Sequence, residues 1–306
     1  MADQFIRRVS LVVADESGDG IDLSEMHIRF AVKQWDLQTP NSARIRIWNL
    51  SDTTARKIEK EFTRVVLQAG YEGGEFGVIF DGTIVQVRRG RENATDTYLD
   101  IAAADGDAAY NFAVVNASLA AGSKPGDRYK ATVEAMTKYG VTQGYQPENL
   151  GDDALPRGRV LFGMARDRLT EITDNSDTTW SVQNGQVQSV ERSSYLPETA
   201  VVLNSRTGMI GMPEQTEDGI SVRCLLNPRL KVNGRVQIDN ESIQRAQVNL
   251  QYTAINYFPS IADDGFYRVI VIDYTGNTRG QDWYCDLVCI ALDSTVTQGL
   301  AARGYS

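Results

Sequence analysis

Histidine and cysteine are scarce in this sequence of 306 residues, which contains one histidine and three cysteines. With a single histidine and no second pair of thiols, a zinc cage built from Cys and His side chains is excluded. The chain also lacks the Gly-x-Ser-x-Gly motif of hydrolases, the phosphate-binding Gly-x-x-x-x-Gly-Lys loop and the His-Glu-x-x-His motif. We therefore expect no enzyme activity, no catalytic, cofactor-binding or metal-binding residues, and no cofactor.

Long apolar runs are missing as well. No run approaches the roughly 18 residues that a membrane helix needs, and the N-terminal stretch lacks the apolar core of a secretory signal. The 31 basic and 40 acidic residues give a net charge of -9, which argues against a surface for duplex DNA, because clustered Lys and Arg dominate phosphate recognition. We expect a protein that is made in the cytoplasm and does not insert into a membrane. Arg88, Arg89 and Arg91 form the one tight basic group, which we interpret as a solvated strand end, with a nucleic-acid site as the alternative.

The three cysteines, Cys224, Cys285 and Cys289, cannot all pair. Cys285 and Cys289 lie four residues apart in a strand-like run, which separates them by about 13 Å at about 3.3 Å per residue. That separation exceeds the reach of a disulfide. We expect reduced thiols in a core.

Residues 1–104 show strand patterns with one short helix. Ser42 to Trp48 alternates strictly: Ala43, Ile45 and Ile47 point to one side, and Arg44, Arg46 and Trp48 to the other. The second face is either a partner surface, since Arg and Trp are frequent at interfaces, or an amphipathic sheet face. Ser51 is a suitable N-cap for a helix to about Phe62. These residues predict a small, curled antiparallel sheet or barrel.

Residues 105–198 change in character and predict an α/β insertion. Helical spacing runs from Asp127 to Tyr139 and again from Leu161 to about Thr173, and a Pro/Gly/Asp-rich linker, residues 144–158, separates the two. Asn184-Gly185 then predicts a hairpin.

Residues 199–306 again favour strands. Asn233-Gly234 is flanked by Leu230, Val232, Val236 and Ile238, which predicts a β-hairpin, since a type I′ turn needs positive φ at both central residues. Further strands are expected at Gln247–Tyr257, Phe266–Tyr274 and Asp282–Leu292. The last of these is apolar on most of both faces, which is typical of a strand inside a barrel wall or beneath a neighbouring subunit.

Polar residues that could carry chemistry are few. His27 lies in a predicted strand without a nucleophile motif, so we expect a surface or core role. The segment Asp15 to Gly20 resembles a calcium loop, but Met26 stands where a bidentate glutamate is needed, so we expect a plain turn. The adjacent carboxylates Asp152/Asp153 and Asp263/Asp264 are interpreted as surface, and a glycosidase pair assembled by folding is left open as the alternative.

Three segments together resemble the central baseplate hub proteins of long-tailed bacteriophages, best known from contractile tails such as that of Mu. They are Ile45-Arg-Ile-Trp-Asn-Leu-Ser51 with Leu67-Gln-Ala-Gly-Tyr71; Thr207-Gly-Met-Ile-Gly-Met-Pro213 with Gly219-Ile-Ser-Val222, Leu225-Leu-Asn-Pro-Arg-Leu230 and Asn233-Gly-Arg-Val236; and Gly265-Phe-Tyr-Arg-Val269 with Gly280-Gln-Asp-Trp283. The motifs cover most of the chain and are structural turns, with no catalytic signature among them.

The resemblance implies a β-rich α+β fold of two tube-like antiparallel β-barrel modules, residues 1–104 and 199–306, with the helical α/β insertion 105–198 between them. It further implies a homotrimeric virion protein of the tail baseplate that joins the sixfold tail tube to the central spike, contacts other baseplate or wedge proteins, and lines the channel through which DNA passes without specific binding. Two other functions stay open. One is a tail-associated peptidoglycan hydrolase, and the other is a carbohydrate-binding tail module with Trp48 or Trp180 stacking on sugars, although core or interface positions are the expected ones for both tryptophans.

Overall fold

The computed structural model describes residues 4–15, 17–245, 260–262 and 264–292. The strand expected at Gln247–Tyr257, and Asp263, lie outside these residues. Mainly antiparallel β-sheet with few helices makes up the regular structure of the described chain, which confirms the β-rich α+β prediction. No helix in these ranges is long and apolar enough to cross a membrane.

The first segment follows its sequence pattern closely. It comprises β1 (Arg7–Ala14), β2 (Gly20–Asp22), β3 (Ile28–Trp35), β4 (Ser42–Trp48), α1 (Asp52–Glu61), β5 (Arg64–Tyr71), β6 (Phe76–Arg91) and β7 (Thr97–Ala104). The alternation of β4 places Ala43, Ile45 and Ile47 in the core, as predicted. Ser51 caps α1, because its Oγ accepts a hydrogen bond from the N–H of Thr54 at 3.1 Å.

The insertion contains more strand than the sequence indicates. It comprises α2 (Asp107–Phe112), β8 (Val114–Leu119), α3 (Pro125–Thr137), β9 (Thr142–Gln143), β10 (Arg159–Met164), α4 (Ala165–Asn175), β11 (Thr178–Gln183) and β12 (Gln186–Glu191). The prediction that a helix begins at Leu161 is wrong: this residue lies in β10, which pairs antiparallel with β8, and the helix begins at Ala165. The Asn184-Gly185 hairpin is confirmed by the pairing of β11 with β12 and by positive φ at both turn residues.

The last segment departs from the sequence pattern at its centre. It comprises β13 (Val201–Leu203), β14 (Met209–Thr216), β15 (Gly219–Leu225), β16 (Arg235–Ile238), β17 (Phe266–Asn277) and β18 (Trp283–Ala291). The hairpin predicted at Asn233-Gly234 is wrong, although Asn233 does have the positive φ of a turn, 66°. The apolar residues before it, Leu230 and Val232, are buried but form no strand, and β16 pairs with β13 and β17. The N–H of Asn233 donates to the carbonyl of Val269 on β17 at 2.8 Å, so the turn attaches to a distant strand.

One sheet joins the first and last segments. Thirteen of the described strands form it, in the order β14-β15-β18-β17-β3-β4-β7-β6-β5-β1-β2, with β16 beside the start of β17 and β13 beside β16. Strands β3 and β17 pair over seven residue pairs, from Arg29 opposite Asn277 to Trp35 opposite Val271. A single hydrophobic core serves both segments, while the insertion has a core of its own around Tyr129, Leu169 and Trp180.

Two separate barrels are therefore not confirmed. The sheet order is open, and no closed barrel is found among the described strands. The physical reason is that β3 of the first segment and β17 of the last segment pair with each other through backbone hydrogen bonds. The two segments therefore continue into one sheet at this point. The domain boundaries at residues 104 and 198 stay predictions.

A buried ion pair lies where the sheet, the central turn and the insertion meet. The Arg268 side chain on β17 is 2% exposed, and the Asp36 side chain, just after β3, is 9% exposed. Arg268 Nη2 donates to Asp36 Oδ2 at 2.6 Å and Nε donates to Asn233 Oδ1 at 2.7 Å, while Asn233 Nδ2 donates to Asp36 Oδ1 at 2.8 Å. Arg268 Nη1 donates, at 3.1 to 3.2 Å, to three backbone carbonyls of the insertion, those of Glu191, Arg192 and Ser194.

We expect Arg268→Met to lower the free energy of unfolding by about 3–5 kcal/mol, because Asp36 would keep a buried charge without its partner. Arg223→Met is the matched control, since Arg223 also pairs with an aspartate, Asp286, but in a solvent-exposed pair. Its loss should cost at most about 1 kcal/mol. Urea unfolding followed by tryptophan fluorescence measures both, and equal small losses would contradict the role of Arg268.

Asp105, directly after β7, connects the sheet to the β11–β12 turn. Its carboxylate accepts hydrogen bonds from the backbone N–H groups of Asn184 and Gly185 at 2.5 and 2.8 Å. The side chain is buried, and this burial raises the pKa of Asp105 to about 7, against the lowering effect of the two hydrogen bonds.

The pKa of Asp105 predicts a pH dependence of stability. In the folded chain Asp105 keeps its proton to a higher pH than its ordinary pKa of 3.8 allows, so the stability that this proton contributes is complete below about pH 4 and is lost as the pH rises through about 7. Over that interval the free energy of unfolding of the wild type should fall by up to about 4 kcal/mol because of Asp105. In the Asp105→Asn protein we expect this fall to be absent. Urea titrations across the range test this, and parallel profiles for the two proteins would refute it.

Candidate interaction surfaces

His27 packs against Trp48 at one end of the sheet. The ring centroids are 4.1 Å apart, the planes are inclined by 13°, and His27 Nε2 lies 2.9 Å from Asn277 Oδ1. The two rings border a polar cleft of about 400 Å³, in which Glu92 accepts a hydrogen bond from Trp48 Nε1 at 2.5 Å. The partners of His27 are thus an indole and an amide, and this geometry gives the imidazole a packing role.

In the calcium-like segment, residues 15–20, hydrogen bonds from within the segment occupy the Asp15 carboxylate. Asp15 accepts hydrogen bonds from the N–H and Oγ of Ser17 at 2.9 and 2.8 Å and from the N–H of Asp19 at 3.0 Å. These bonds, led by that of the Ser17 hydroxyl, lower the pKa of Asp15. Over the described ranges, no three His, Cys, Asp or Glu side chains come together as metal ligands.

One member of each carboxylate pair, Asp152 and Asp264, makes local contacts. Asp152 accepts a hydrogen bond from Lys124 Nζ at 3.0 Å, and this cation lowers the pKa of Asp152. Asp264 accepts one from the N–H of Phe266 at 2.9 Å, within its own turn. These contacts are those of surface turns and ion pairs.

The three cysteines are free and buried. Cys285 and Cys289 lie along one buried face of β18, as predicted. The fold also brings two cysteines together that are distant in sequence: Cys224 on β15 lies directly opposite Cys285 on β18. Burial raises the pKa of the Cys285 and Cys289 thiols, which keeps both protonated at neutral pH.

A row of charges crosses the solvent face of the sheet. Cross-strand register aligns Arg29 on β3, Arg46 on β4, Asp100 on β7 and Arg88 on β6. Arg46 holds Asp100 through two hydrogen bonds of 2.6 and 2.9 Å. The basic cluster at residues 88–91 is exposed at the end of β6, as interpreted from the sequence, and only Arg88 joins this row.

The other two arginines of that cluster have local partners. Arg89 pairs with Asp52 of α1, and Arg91 donates to the carbonyl of Ala94 at 3.4 Å. The row of charges was missed from the sequence because only strand register brings its members together.

An apolar surface lies on the two-stranded ribbon formed by β8 and β10. Register places Asn116 opposite Phe162, and Ser118 opposite Val160. Three side chains of this outward face, together with Phe112 at the end of α2, are large, apolar and exposed, and they define the ribbon surface: Phe112, Val114, Val160 and Phe162, with exposed fractions of 65%, 49%, 65% and 67%. The inward residues of the same strands, Val115 and Leu161, are buried.

A second apolar surface lies at the β14 end of the sheet. Ile210 and Met212 are exposed on β14, in a stretch where the register with β15 is interrupted by a bulge. Gln4 Nε2 donates to the carbonyl of Thr207 at 3.3 Å, which brings the N-terminal segment to the turn between β13 and β14. The β14 surface is defined by its two exposed apolar side chains, Ile210 and Met212.

Solved structures of phage tail proteins share this architecture. A tail protein from Neisseria meningitidis MC58 aligns with a TM-score of 0.60 and 11% identity over 93% of this chain and 96% of that one. The 43 kDa tail protein of prophage MuSo2 from Shewanella oneidensis aligns with a TM-score of 0.57 and 6% identity over 94% and 98%.

The Escherichia coli c3393 protein aligns with a TM-score of 0.50 and 10% identity over 87% of this chain and 73% of that one. It is a component of the type VI secretion system with structural similarity to the T4 tail proteins gp27 and gp5. No protein-family model and no curated protein sequence matches the chain. The chain has the fold of a phage tail protein. The resemblance noted in the sequence is thereby confirmed at the level of fold.

Within this tail-protein fold, neither tryptophan considered for sugar binding presents an open ring. Trp180 is buried in the insertion and its Nε1 donates to Thr170 Oγ1 at 3.1 Å. Trp48 is also buried: His27 stacks on its ring, and the Arg46 guanidinium, on the same face of β4, lies 5.8 Å from the ring centroid. A buried position is therefore confirmed for both indoles, in the core of the insertion for Trp180 and beside the polar cleft for Trp48.

We expect all three thiols to be free and to resist alkylation in the native protein, because burial keeps the reagent away from them. Intact mass measured without reductant should show three free thiols, and a thiol reagent should modify them only in denaturant. Val85→Cys, at an exposed position of β6, is the control that should react at once. A mass two hydrogens lower, from a Cys224–Cys285 bridge, would contradict the expectation.

We expect His27→Ala to cost about 1–2 kcal/mol of stability, since one ring stack and one hydrogen bond are lost. His27→Phe keeps the stack and should cost less. Thermal unfolding and native mass measure stability and assembly separately. A folded His27→Ala protein that had lost a measurable enzyme activity would disprove the packing role.

Proposed function

We propose that this chain is a non-enzymatic structural protein of a phage tail, the central hub of the baseplate. The observation that carries the proposal is the similarity of fold along nearly the whole length of two tail proteins, covering 93% and 94% of this chain and 96% and 98% of theirs. The packing role of His27 and the burial of all three cysteines are consistent with a protein that works through its shape.

The proposed mechanism is geometric. Three chains form a ring, and the two β-rich segments of each chain act as tube-like modules, so that three chains offer six similar modules to a sixfold tail tube. The β3–β17 pairing supports this arrangement, because it holds the two segments of one chain edge to edge in a single sheet. A heterologous contact that closes on itself generates a ring of this kind.

The partners follow from this position in the virion. The tail tube protein would lie on one side of the ring and the central spike on the other, with other baseplate or wedge proteins around it and DNA passing through the centre. The net charge of -9 suits a channel along which DNA slides without binding, because like charges repel. Assembly would take place in the host cytoplasm.

The native mass of the purified chain and its position in the virion test the hub proposal. We expect a trimer in solution and axial density at the tail tip in a cryo-EM reconstruction of the intact phage. A turnover assay on peptidoglycan tests the alternative function, a tail-associated hydrolase. A stable monomer combined with peripheral density would rule out the hub.

A further inference from the structure

The insertion and the shared sheet have separate hydrophobic cores. The apolar residues of the insertion's core all lie between Ala109 and Val187, and those of the sheet's core lie at residues 11–103 and 203–291. No described residue belongs to both cores. The burial of apolar surface, which is the main favourable term in folding, therefore acts mainly within each unit.

Strand β11 presents a polar face to the contact between the two units. Its side chains alternate, so that Trp180 and Val182 belong to the insertion's core while Ser181 and Gln183 lie on the opposite face. Such alternation is typical of a strand with one face in water. Here the polar face is covered, since Ser181 is 1% exposed and Gln183 is 6% exposed.

Hydrogen bonds join this polar face to the end of the sheet. Gln183 Nε2 donates to the carbonyl of Trp35 at 3.0 Å, and Gln183 Oε1 accepts from Asn41 Nδ2 at 2.8 Å. Asn41 Nδ2 also donates to the carbonyl of Val182 at 2.9 Å. Asp105 binds two backbone N–H groups of the β11–β12 turn. We call these buried groups, together with Ser181, the polar layer.

The composition of the polar layer makes it easier to open than either core. Separating two apolar surfaces costs free energy in proportion to the area that meets water. Hydrogen-bonded groups lose less, because water replaces the partners that they leave. Polar contacts between units of one chain therefore permit relative motion, whereas large hydrophobic ones prevent it.

The chain crosses between the sheet and the insertion twice, at Gly106 and at residues 192–200. Gly106 has a φ of 68°, a conformation that glycine adopts without steric strain. Residues 192–200 form no helix or strand. Arg268 holds the start of this second crossing through three backbone carbonyls. Short irregular segments of this kind absorb the backbone rotation when two units move.

We propose that the insertion undocks from the sheet as one unit, by opening the polar layer while both hydrophobic cores stay closed. The Arg268 contacts lie at the second crossing and form the pivot of this motion. The opening brings the polar face of β11 into water. Undocking is a property of a single chain, so the inference stands apart from the hub ring.

Thiol labelling in the polar layer and in both cores tests the undocking. Ser181→Cys places a thiol in the polar layer, and Ala109→Cys places one in the insertion's core as the matched control. The sheet's core carries its own reporters, which are Cys224, Cys285 and Cys289.

We expect the thiol introduced at position 181 to react at least about tenfold faster than the one at position 109 and the three native thiols, because only the polar layer opens. Peptide mass mapping after timed labelling gives each rate, normalised to the rate of the same thiol in denaturant. Equal normalised rates at all positions would indicate one global opening and overturn the inference.

A second substitution weakens the layer itself. Gln183→Ala removes the two hydrogen bonds that this side chain makes to the sheet, and it should raise the labelling rate at position 181 by a further factor of about ten. Gln186→Ala, at an exposed glutamine directly opposite on β12, is the control and should change no rate. Circular dichroism verifies that each variant is folded. An unchanged rate at position 181, or an equal rise at the core thiols, contradicts the proposal.

Hydrogen exchange of the unaltered chain provides a test without any substitution. The amide hydrogens of Asn184 and Gly185, which bond to Asp105 across the layer, should exchange at rates that depend weakly on urea below the unfolding transition. Undocking exposes little surface, and urea acts in proportion to the surface exposed. Amide hydrogens in the β3–β17 pairing should depend strongly on urea, because they exchange through global unfolding. The same urea dependence at both places would overturn the inference.

Discussion

The ion pair between Arg268 and Asp36 is the constraint on which the arrangement of the chain depends. Moving a guanidinium and a carboxylate out of water costs several kcal/mol for each ion, so the pair persists only where further hydrogen bonds satisfy both groups. Here the amide of Asn233 bridges the two charges, and carbonyls of the insertion accept the remaining guanidinium protons. One buried arginine thus sets the relative position of the shared sheet, the central turn and the insertion.

Local patterns in the sequence predicted the elements better than their connections. The alternation of β4, the Ser51 cap and the Asn184-Gly185 hairpin were all correct, because each depends on residues within a few positions of one another. The Asn233-Gly234 hairpin failed because the polar groups of Asn233 bond to Arg268 and Asp36, which no local pattern reveals. The pairing of β3 with β17 joins residues more than 230 positions apart, so no local pattern could reveal that one sheet runs through both β-rich segments.

The candidate surfaces were harder to predict than the fold. Leu161 shares helical spacing with Ala165 and Leu169, and this coincidence concealed the strand β10. In that strand, the two neighbours of Leu161, Val160 and Phe162, point outward. The run Val160-Leu161-Phe162 was the available signal, since three consecutive apolar residues do not fit one stripe of a helix. The row formed by Arg29, Arg46 and Arg88 could not be found in advance, because it exists only through strand register.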